Sequence, residues 1–348
     1  PLRYMKVDIK NFTKEEITTF ALEIGQPKYR AQQLWEWIWQ KQAISFDEMT
    51  NLPAAFRERL NNDFNLITLF QDVVQYSDDG TFKVRFGLKD GSKIETVLIP
   101  VPEEGRFTVC VSCQVGCSLT CSFCATGKMK RIRNLEPAEI VDQVILVNQL
   151  CLEKFGSRIT NIVYMGMGEP LLTYANVMRS IEMITSPDGL AMSPRRITVS
   201  TAGIAKMIKK LADDDAKINL ALSLHAADDT KRNEIMPINE QNDLQTLMDA
   251  ISYFYRKTHN RISYEYIALK GFNDTIEDAK RLIKLCHRFP VRVNVIEYNP
   301  IEEGGFEKSE EDTINQFARI VRESGVMITV RRSRGKDIDA ACGQLANK

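Results

Sequence analysis

The chain has 348 residues, 46 basic against 46 acidic, and 44% of them are hydrophobic. That apolar fraction excludes bulk disorder, and no apolar run approaches the roughly 18 residues of a membrane helix. The length allows two domains, or one large barrel with an accessory piece; neutral net charge excludes a highly basic coat protein but leaves room for a local nucleic-acid patch.

Residues 1–10 show no signal-peptide core, which predicts a cytoplasmic protein, and Pro1 in place of Met predicts a processed or trimmed start. Residues 14–25 carry Ile17, Phe20, Ala21 and Ile24 at helical spacing, closed by Gly25 and Pro27. Further helices are predicted at 29–40 and 53–60. All three tryptophans fall in the second, with Trp35 and Trp39 on one face and Trp37 elsewhere. They are either core with an interdomain contact or an aromatic platform for RNA bases. Strands are predicted at 69–76, 82–88 and 94–99. Ser77-Asp78-Asp79-Gly80 and Lys89-Asp90-Gly91 separate them as turns, making an antiparallel meander.

From residue 107 the pattern becomes strand, loop, helix, repeated. Strands are predicted at 107–111, 159–165, 196–200, 218–223, 262–268 and 291–298. Helices follow at 137–150, 175–184, 204–212, 244–257, 276–288 and 312–324, with a last strand at 326–331. Six βα units predict an α/β fold with a parallel sheet, a partial (β/α)6 barrel open at one side. In such folds chemistry gathers at the C-terminal ends of the strands. The expected division is a helical accessory domain at 1–64 that contacts RNA, the meander at 65–102, the barrel at 103–335 and a tail at 336–348.

Of eight cysteines, five crowd between Cys110 and Cys124. A long chain without an export signal points to a metal or redox role rather than a disulfide scaffold. Cys117-x3-Cys121-x2-Cys124 follows the first barrel strand and gathers three thiolates. Structural zinc wants four protein ligands. An iron–sulfur cube held by three leaves one iron free.

This motif, with Phe123 before its last cysteine, resembles the radical S-adenosylmethionine (SAM) superfamily. The chain is more closely similar to its RlmN/Cfr family of RNA adenine methyltransferases. The stretches that carry the likeness are Cys110-Val-Ser-Cys-Gln-Val-Gly-Cys117, Tyr164-Met-Gly-Met-Gly-Glu-Pro-Leu171, Ser193-Pro-Arg-Arg-Ile-Thr-Val-Ser-Thr201, Ser223-Leu-His225 and Asp337-Ile-Asp-Ala-Ala-Cys-Gly-Gln-Leu345. Cys113 departs from it, standing where the family has serine.

The resemblance implies one 4Fe–4S cluster on Cys117, Cys121 and Cys124, with SAM on its free iron. It makes Gly168, Glu169, Ser200, Ser223, Leu224, His225 and Asn299 SAM-binding positions, with Glu169 accepting from the SAM ammonium. It implies a methyl carrier at Cys342, a resolving thiol at Cys110, and a proton-accepting Glu95, which could otherwise be a plain strand-face charge. It implies methylation at C2 of adenine in 23S rRNA and tRNA with two SAM per turnover, or C8 methylation of 23S rRNA in the Cfr-like alternative. An electron donor of the flavodoxin or ferredoxin kind, no membrane and a monomer complete the expectation. Lys128, Lys130, Arg131 and Arg133 after the cluster loop, Arg195 and Arg196, and Arg331, Arg332, Arg334 and Lys336 before Cys342 are expected phosphate contacts. Gly335 is expected to hinge a mobile tail. Cys113 reads as a bystander, a spare thiol or a packing residue, and Cys151 and Cys286 as core. Rival classes are a glycyl-radical activase, which needs no Cys110/Cys342 pair, and an iron–sulfur carrier, which needs no SAM pocket.

Overall fold

A computed structural model describes residues 6–347; the expectations for residues 1–5 and Lys348 lie outside them. Helices α1 (Lys14–Glu23), α2 (Lys28–Trp39) and α3 (Ala54–Asp63) form the start of the chain. A capping box opens α1: Thr13 Oγ1 accepts from the Glu16 amide at 3.2 Å, and Glu16 Oε2 from the Thr13 amide at 2.7 Å. Trp35 and Trp39 are buried with ring centroids 5.7 Å apart. Trp35 Nε1 donates to the Asp188 carbonyl at 2.6 Å, so this pair is core and interdomain contact rather than a platform for bases.

One ten-stranded sheet makes up the rest. Its antiparallel part is β1 (Phe70–Tyr76), β2 (Phe82–Gly87) and β3 (Lys93–Val101), which continues antiparallel onto β4 (Arg106–Cys110). From β4 the strands run parallel through β5 (Asn161–Tyr164), β6 (Ile197–Thr201), β7 (Asn219–Ser223), β8 (Ile262–Ala268), β9 (Arg292–Glu297) and β10 (Met327–Arg331). The last predicted strand therefore joins the barrel wall. The sheet ends at β1 and β10 without closing. The main crossover helices are α4 (Pro137–Phe155), α5 (Tyr174–Thr185), α6 (Ala205–Asp213), α7 (Leu244–Thr258), α8 (Ile276–Cys286) and α9 (Glu311–Glu323). Two short helices, Ala125–Lys128 and Asp229–Ile235, were not predicted because neither is long enough to show a period.

The meander is a wall of the site, not a tether, and register shows why. Val97 pairs with Cys110 and with Lys83, and Glu95 pairs with Arg85. Side chains two apart on a strand share a face, so Lys83, Arg85, Glu95 and Cys110 all point to one side. Cys110 pairs with Val163, Val163 with Thr198, Ser200 with Ala221, Ser223 with Glu265 and Glu265 with Asn294. That same face therefore carries Ser200, Ser223, Glu265 and Asn294.

A buried charge cluster joins the N-terminal segment to α4. Lys10 Nζ lies 2.8 Å from Asp142 Oδ1 and 3.8 Å from Asp8 Oδ1, with both ends of the Lys10–Asp142 pair fully enclosed. Lys10 Nζ also donates to the Leu66 carbonyl. Asp142 Oδ2 accepts from the Thr68 amide at 2.8 Å and its hydroxyl at 2.9 Å. Lys10→Met should leave two buried carboxylates facing each other and lower stability by about 3–5 kcal/mol, the usual loss when one partner of a buried pair is removed. Urea unfolding followed by circular dichroism measures it.

Candidate active site

The mouth of the sheet is lined from both its walls and its lid. Cys117, Cys121 and Cys124 occupy the loop after β4. Without iron, burial pushes the Cys117 thiol up to about 11 and raises Cys121 and Cys124 as well. Cys117 and Cys124 both add to the rise of the Cys121 thiol. Among the described residues no His, Cys, Asp and Glu group is disposed to hold a single metal ion. A cube is larger, with each thiolate on a different iron, and the all-sulfur donor set suits it. Backbone amides serve the sulfurs: the Leu119 amide lies 3.4 Å from Cys117 Sγ, and those of Thr126 and Gly127 lower the Cys124 thiol against its burial. Phe123 meets the His225 ring edge-on at 4.7 Å.

The expected SAM positions converge at strand ends. Ser200 Oγ and Ser223 Oγ lie 3.3 Å apart. His225 has φ +57°, uncommon for a non-glycine residue. Its Nδ1 accepts from the Ile267 amide at 3.1 Å, and burial draws its pKa down to about 3, so the ring is neutral and carries its proton on Nε2. Leu224 is buried and joins the site through its backbone, its amide donating to the Glu265 carbonyl at 3.0 Å. Glu169 Oε1 accepts from the Leu171 amide at 3.0 Å and Oε2 from the Ala202 amide at 2.8 Å. An ionised carboxylate has about four acceptor positions, so both oxygens keep capacity for an ammonium. Gly168, at φ +99°, would put a Cβ 2.5 Å from Gln114 Cβ. Its glycine is thus required by a close approach to the chain's own cluster-side loop.

The tail differs from the mobile segment expected. It is docked. The Ala125 amide donates to Gly343 O at 2.7 Å, and Thr126 Oγ1 to Leu345 O at 2.7 Å, both from the short helix after the cluster cysteines. Asn299 Nδ2 donates to Cys342 O at 3.4 Å. Glu95 is fully buried; Oε1 lies 3.1 Å from Lys83 Nζ, and Oε2 accepts from the amides of Ala346 at 2.9 Å and Asn347 at 3.0 Å. Cys342 is exposed, and the protein around it raises its thiol. Burial pushes the Cys110 thiol well up, with Cys342 adding to the rise, and both thiols are free.

Sequence reasoning missed four residues here. Lys83 pairs with Glu95. Glu265 accepts from Asn294 Nδ2 at 2.8 Å and acts on Cys342. Glu297 takes Lys336 at 2.6 Å, Arg332 at 2.7 Å and Lys308 at 3.4 Å. Burial opposes ionisation of Glu297, but Lys336 and Arg332 outweigh it and bring the carboxyl down to about 2. Arg232 is the fourth. Glu265 and Glu297 are each a lone charge inside a largely apolar strand, a visible signal, whereas Arg232 lies in a charged run and Lys83 alternates with Arg85. Cys113 packs as a buried thiol, Sγ 3.7 Å from the Met167 carbonyl.

The basic runs divide. Arg133 grips Glu139 with both terminal nitrogens, at 2.7 and 2.8 Å, and Asp90 at 2.5 Å. Arg332 and Lys336 serve Glu297, and Arg334 donates to Pro100 O at 3.1 Å. These residues hold the fold together. Lys128, Lys130 and Arg131 are exposed and form no ion pair among the described residues.

Family models match at two places: the ribosomal RNA large subunit methyltransferase N-terminal domain over residues 7–66, and the radical SAM superfamily over 111–286. The chain is 51% identical to a probable dual-specificity RNA methyltransferase RlmN of Christiangramia forsetii, over 99% of this chain and 97% of that protein. The chain belongs to the RlmN family. It is 43% identical to the dual-specificity RNA methyltransferase RlmN of Campylobacter curvus, over 93% of this chain and 90% of that protein. A solved radical SAM methyltransferase from Sphaerobacter thermophilus superposes with a TM-score of 0.94 at 39% identity, covering 98% of this chain and all of that one. The chain is thus a SAM-dependent RNA methyltransferase of the RlmN family, and its superfamily implies SAM and a 4Fe–4S cluster. Among the described residues no helix is long and apolar enough to cross a membrane.

Two measurements test the site. Cys121→Ala should lose the iron–sulfur absorbance and all SAM-dependent activity, and a full cluster in that variant would reject the ligand set. Replacing Lys128, Lys130 and Arg131 with Ala should weaken RNA binding uniformly and flatten its salt slope by about 2–3, because up to three phosphate contacts are lost. An unchanged slope across salt concentrations would assign these residues to solvated surface.

Proposed function

We propose that this enzyme methylates C2 of an adenine in 23S rRNA and in tRNA, through a methyl group carried on Cys342 and with two SAM molecules per turnover. The observation that supports this reading is the docked tail, with the Cys342 carbonyl held by Asn299 and the next carbonyl, of Gly343, held by the Ala125 amide beside Cys124. The RlmN relatives from Christiangramia forsetii and Campylobacter curvus are named as dual-specificity enzymes, which supports two RNA substrates.

Cys117, Cys121 and Cys124 would hold the cluster, with Glu169, Ser200, Ser223, Leu224, His225 and Asn299 around the SAM. When bound, the cluster and SAM supply a one-electron cleavage that removes a hydrogen atom from a methyl group. An aromatic amidine carbon is no nucleophile, so Cys342 takes the methyl from the first SAM on its sulfur. The methylene left after hydrogen removal bonds C2. The adduct would then give up one electron to the cluster, which the cleavage leaves oxidised, and its ring proton to Glu95. The Cys110 sulfur attacks the Cys342 sulfur, forming a disulfide and releasing the base, whose new carbon takes the proton that Cys110 gives up. Two electrons from a flavodoxin- or ferredoxin-like donor restore the thiols. The neutral His225 ring adds no positive charge beside the SAM sulfonium.

The two thiols fail differently when removed. Cys342→Ala should place no methyl on protein or RNA. Cys110→Ala should accumulate RNA attached to protein through Cys342, visible on a denaturing gel as a nuclease-sensitive band. Free methylated RNA and no such band would mean that another thiol resolves the adduct. Digested wild-type product should contain 2-methyladenosine by mass spectrometry in both RNAs; 8-methyladenosine would instead establish the C8 reaction.

A further inference from the structure

Arg232 is fully buried in the short helix Asp229–Ile235. Its nitrogens donate only to neutral acceptors: Leu224 O at 3.0 Å, Ala202 O at 2.5 Å, Ser223 O at 3.1 Å and Asn239 Oδ1 at 2.5 Å. Among the described residues no carboxylate forms an ion pair with it. A buried charge without a counter-ion is strongly unfavourable, and the four carbonyl-type dipoles solvate the guanidinium without neutralising it. Burial lowers it to about 10, which leaves it charged at neutral pH.

Cys121 and Asp229 are the groups whose fields act against that burial and favour the charged guanidinium. Contacts join the Arg232 helix directly to the cluster loop, since the Ser122 amide donates to Ile235 O at 3.0 Å and the Ser122 hydroxyl to the same oxygen at 3.4 Å. Around them lies an apolar shell of Phe123, Ala202, Ile235, Met236 and Ile267 against which Cys121 and Cys124 pack. In such surroundings a fixed charge acts far more strongly than in water.

We propose that Arg232 is the built-in counter-ion of the iron–sulfur centre and a positioning residue for SAM cleavage. Three thiolates give the loaded centre a net negative charge, and reduction adds another. Arg232 stabilises the reduced state, raising the reduction potential, while its fork ties the ends of β6 and β7 where Ser200 and Ser223 stand. This inference rests on Cys117, Cys121 and Cys124 being the ligands, which Cys121→Ala tests separately by loss of iron.

The experiment is an anaerobic redox titration of reconstituted holoenzyme without substrate, with the reduced cluster read by electron paramagnetic resonance. At the wild-type midpoint, Arg232→Gln should lower the reduced-to-oxidised ratio about tenfold, a shift of about 59 mV in a one-electron couple. Arg232→Lys, which keeps the charge but not the fork, should stay within about twofold. Asp229→Asn keeps an acceptor for Asn239 Nδ2 and the Leu244 amide while removing the one carboxylate whose field offsets Arg232. It should raise the ratio, and it carries the test where the glutamine variant does not fold. A wild-type midpoint in Arg232→Gln, equal losses in the Gln and Lys variants, or an unchanged or lowered midpoint in Asp229→Asn would each overturn the proposal.

Discussion

Two buried carboxylates, Glu95 and Glu297, hold the segment from Arg332 to Asn347 across the mouth of an open sheet. The segment has little apolar anchorage of its own: Ala340, Ala341 and Leu345 are its buried hydrophobic residues. Its position is therefore set by directional polar contacts, to which Ser77 adds by donating to Asp337 Oδ1 at 2.6 Å. A hydrogen bond to a charged group contributes roughly 1.5–3 kcal/mol. A few of these fix a conformation but leave it easier to open than the sheet beneath, whose central strands are largely buried. A segment that must meet both a small cosubstrate and a large RNA is well served by that balance.

The position of Glu95 also explains why the meander belongs to the enzyme's working part. A parallel sheet beginning at β4 would present an unpaired edge to solvent. β3 covers that edge, and in doing so carries Glu95 to the same side as Cys110. Ser112 welds the junction: its hydroxyl donates to the Glu95 carbonyl at 2.6 Å and accepts from the Met167 amide at 2.9 Å. Gln143 from α4 then holds the Ser112 backbone through both its amide and its carbonyl. The strand that protects the barrel is thereby fixed to the loops that surround the candidate SAM site.

The order of strands and helices was legible because each parallel strand is a short apolar run followed by an amphipathic helix. The three cluster cysteines were legible because their spacing is local. What stayed hidden was pairing at long range. Glu95 reads as a proton acceptor or a strand-face charge, and nothing in the sequence marks Lys83 as its partner until the fold puts them side by side. Arg332 and Lys336 have the composition of a phosphate-binding run, yet Glu297 takes them both. A one-dimensional reading counts charges and cannot see which are already neutralised. The same limit applies to the tail, where glycine and charge predict mobility and partners more than 200 residues away in sequence supply the docking.

The tail contacts fall into two sets separated by Cys342 and Gly343. On one side stand Glu297 with Arg332 and Lys336, and Asn299 on the Cys342 carbonyl itself. On the other stand Thr126 on Leu345, Glu95 on the Ala346 and Asn347 amides, and Asn347 Nδ2 on Lys93 O at 2.8 Å. Gly343 lies between them at φ +84°, a conformation that glycine adopts freely. The second set can therefore release while the first keeps the sulfur in place. In the proposed reaction this matters twice. A purine entering the mouth needs the space of the released residues, and the carboxylate that releases them is the group that must then accept its proton. In that reaction, opening the mouth would free Glu95 Oε2 for the substrate, because that oxygen now serves the two tail amides while Oε1 faces Lys83.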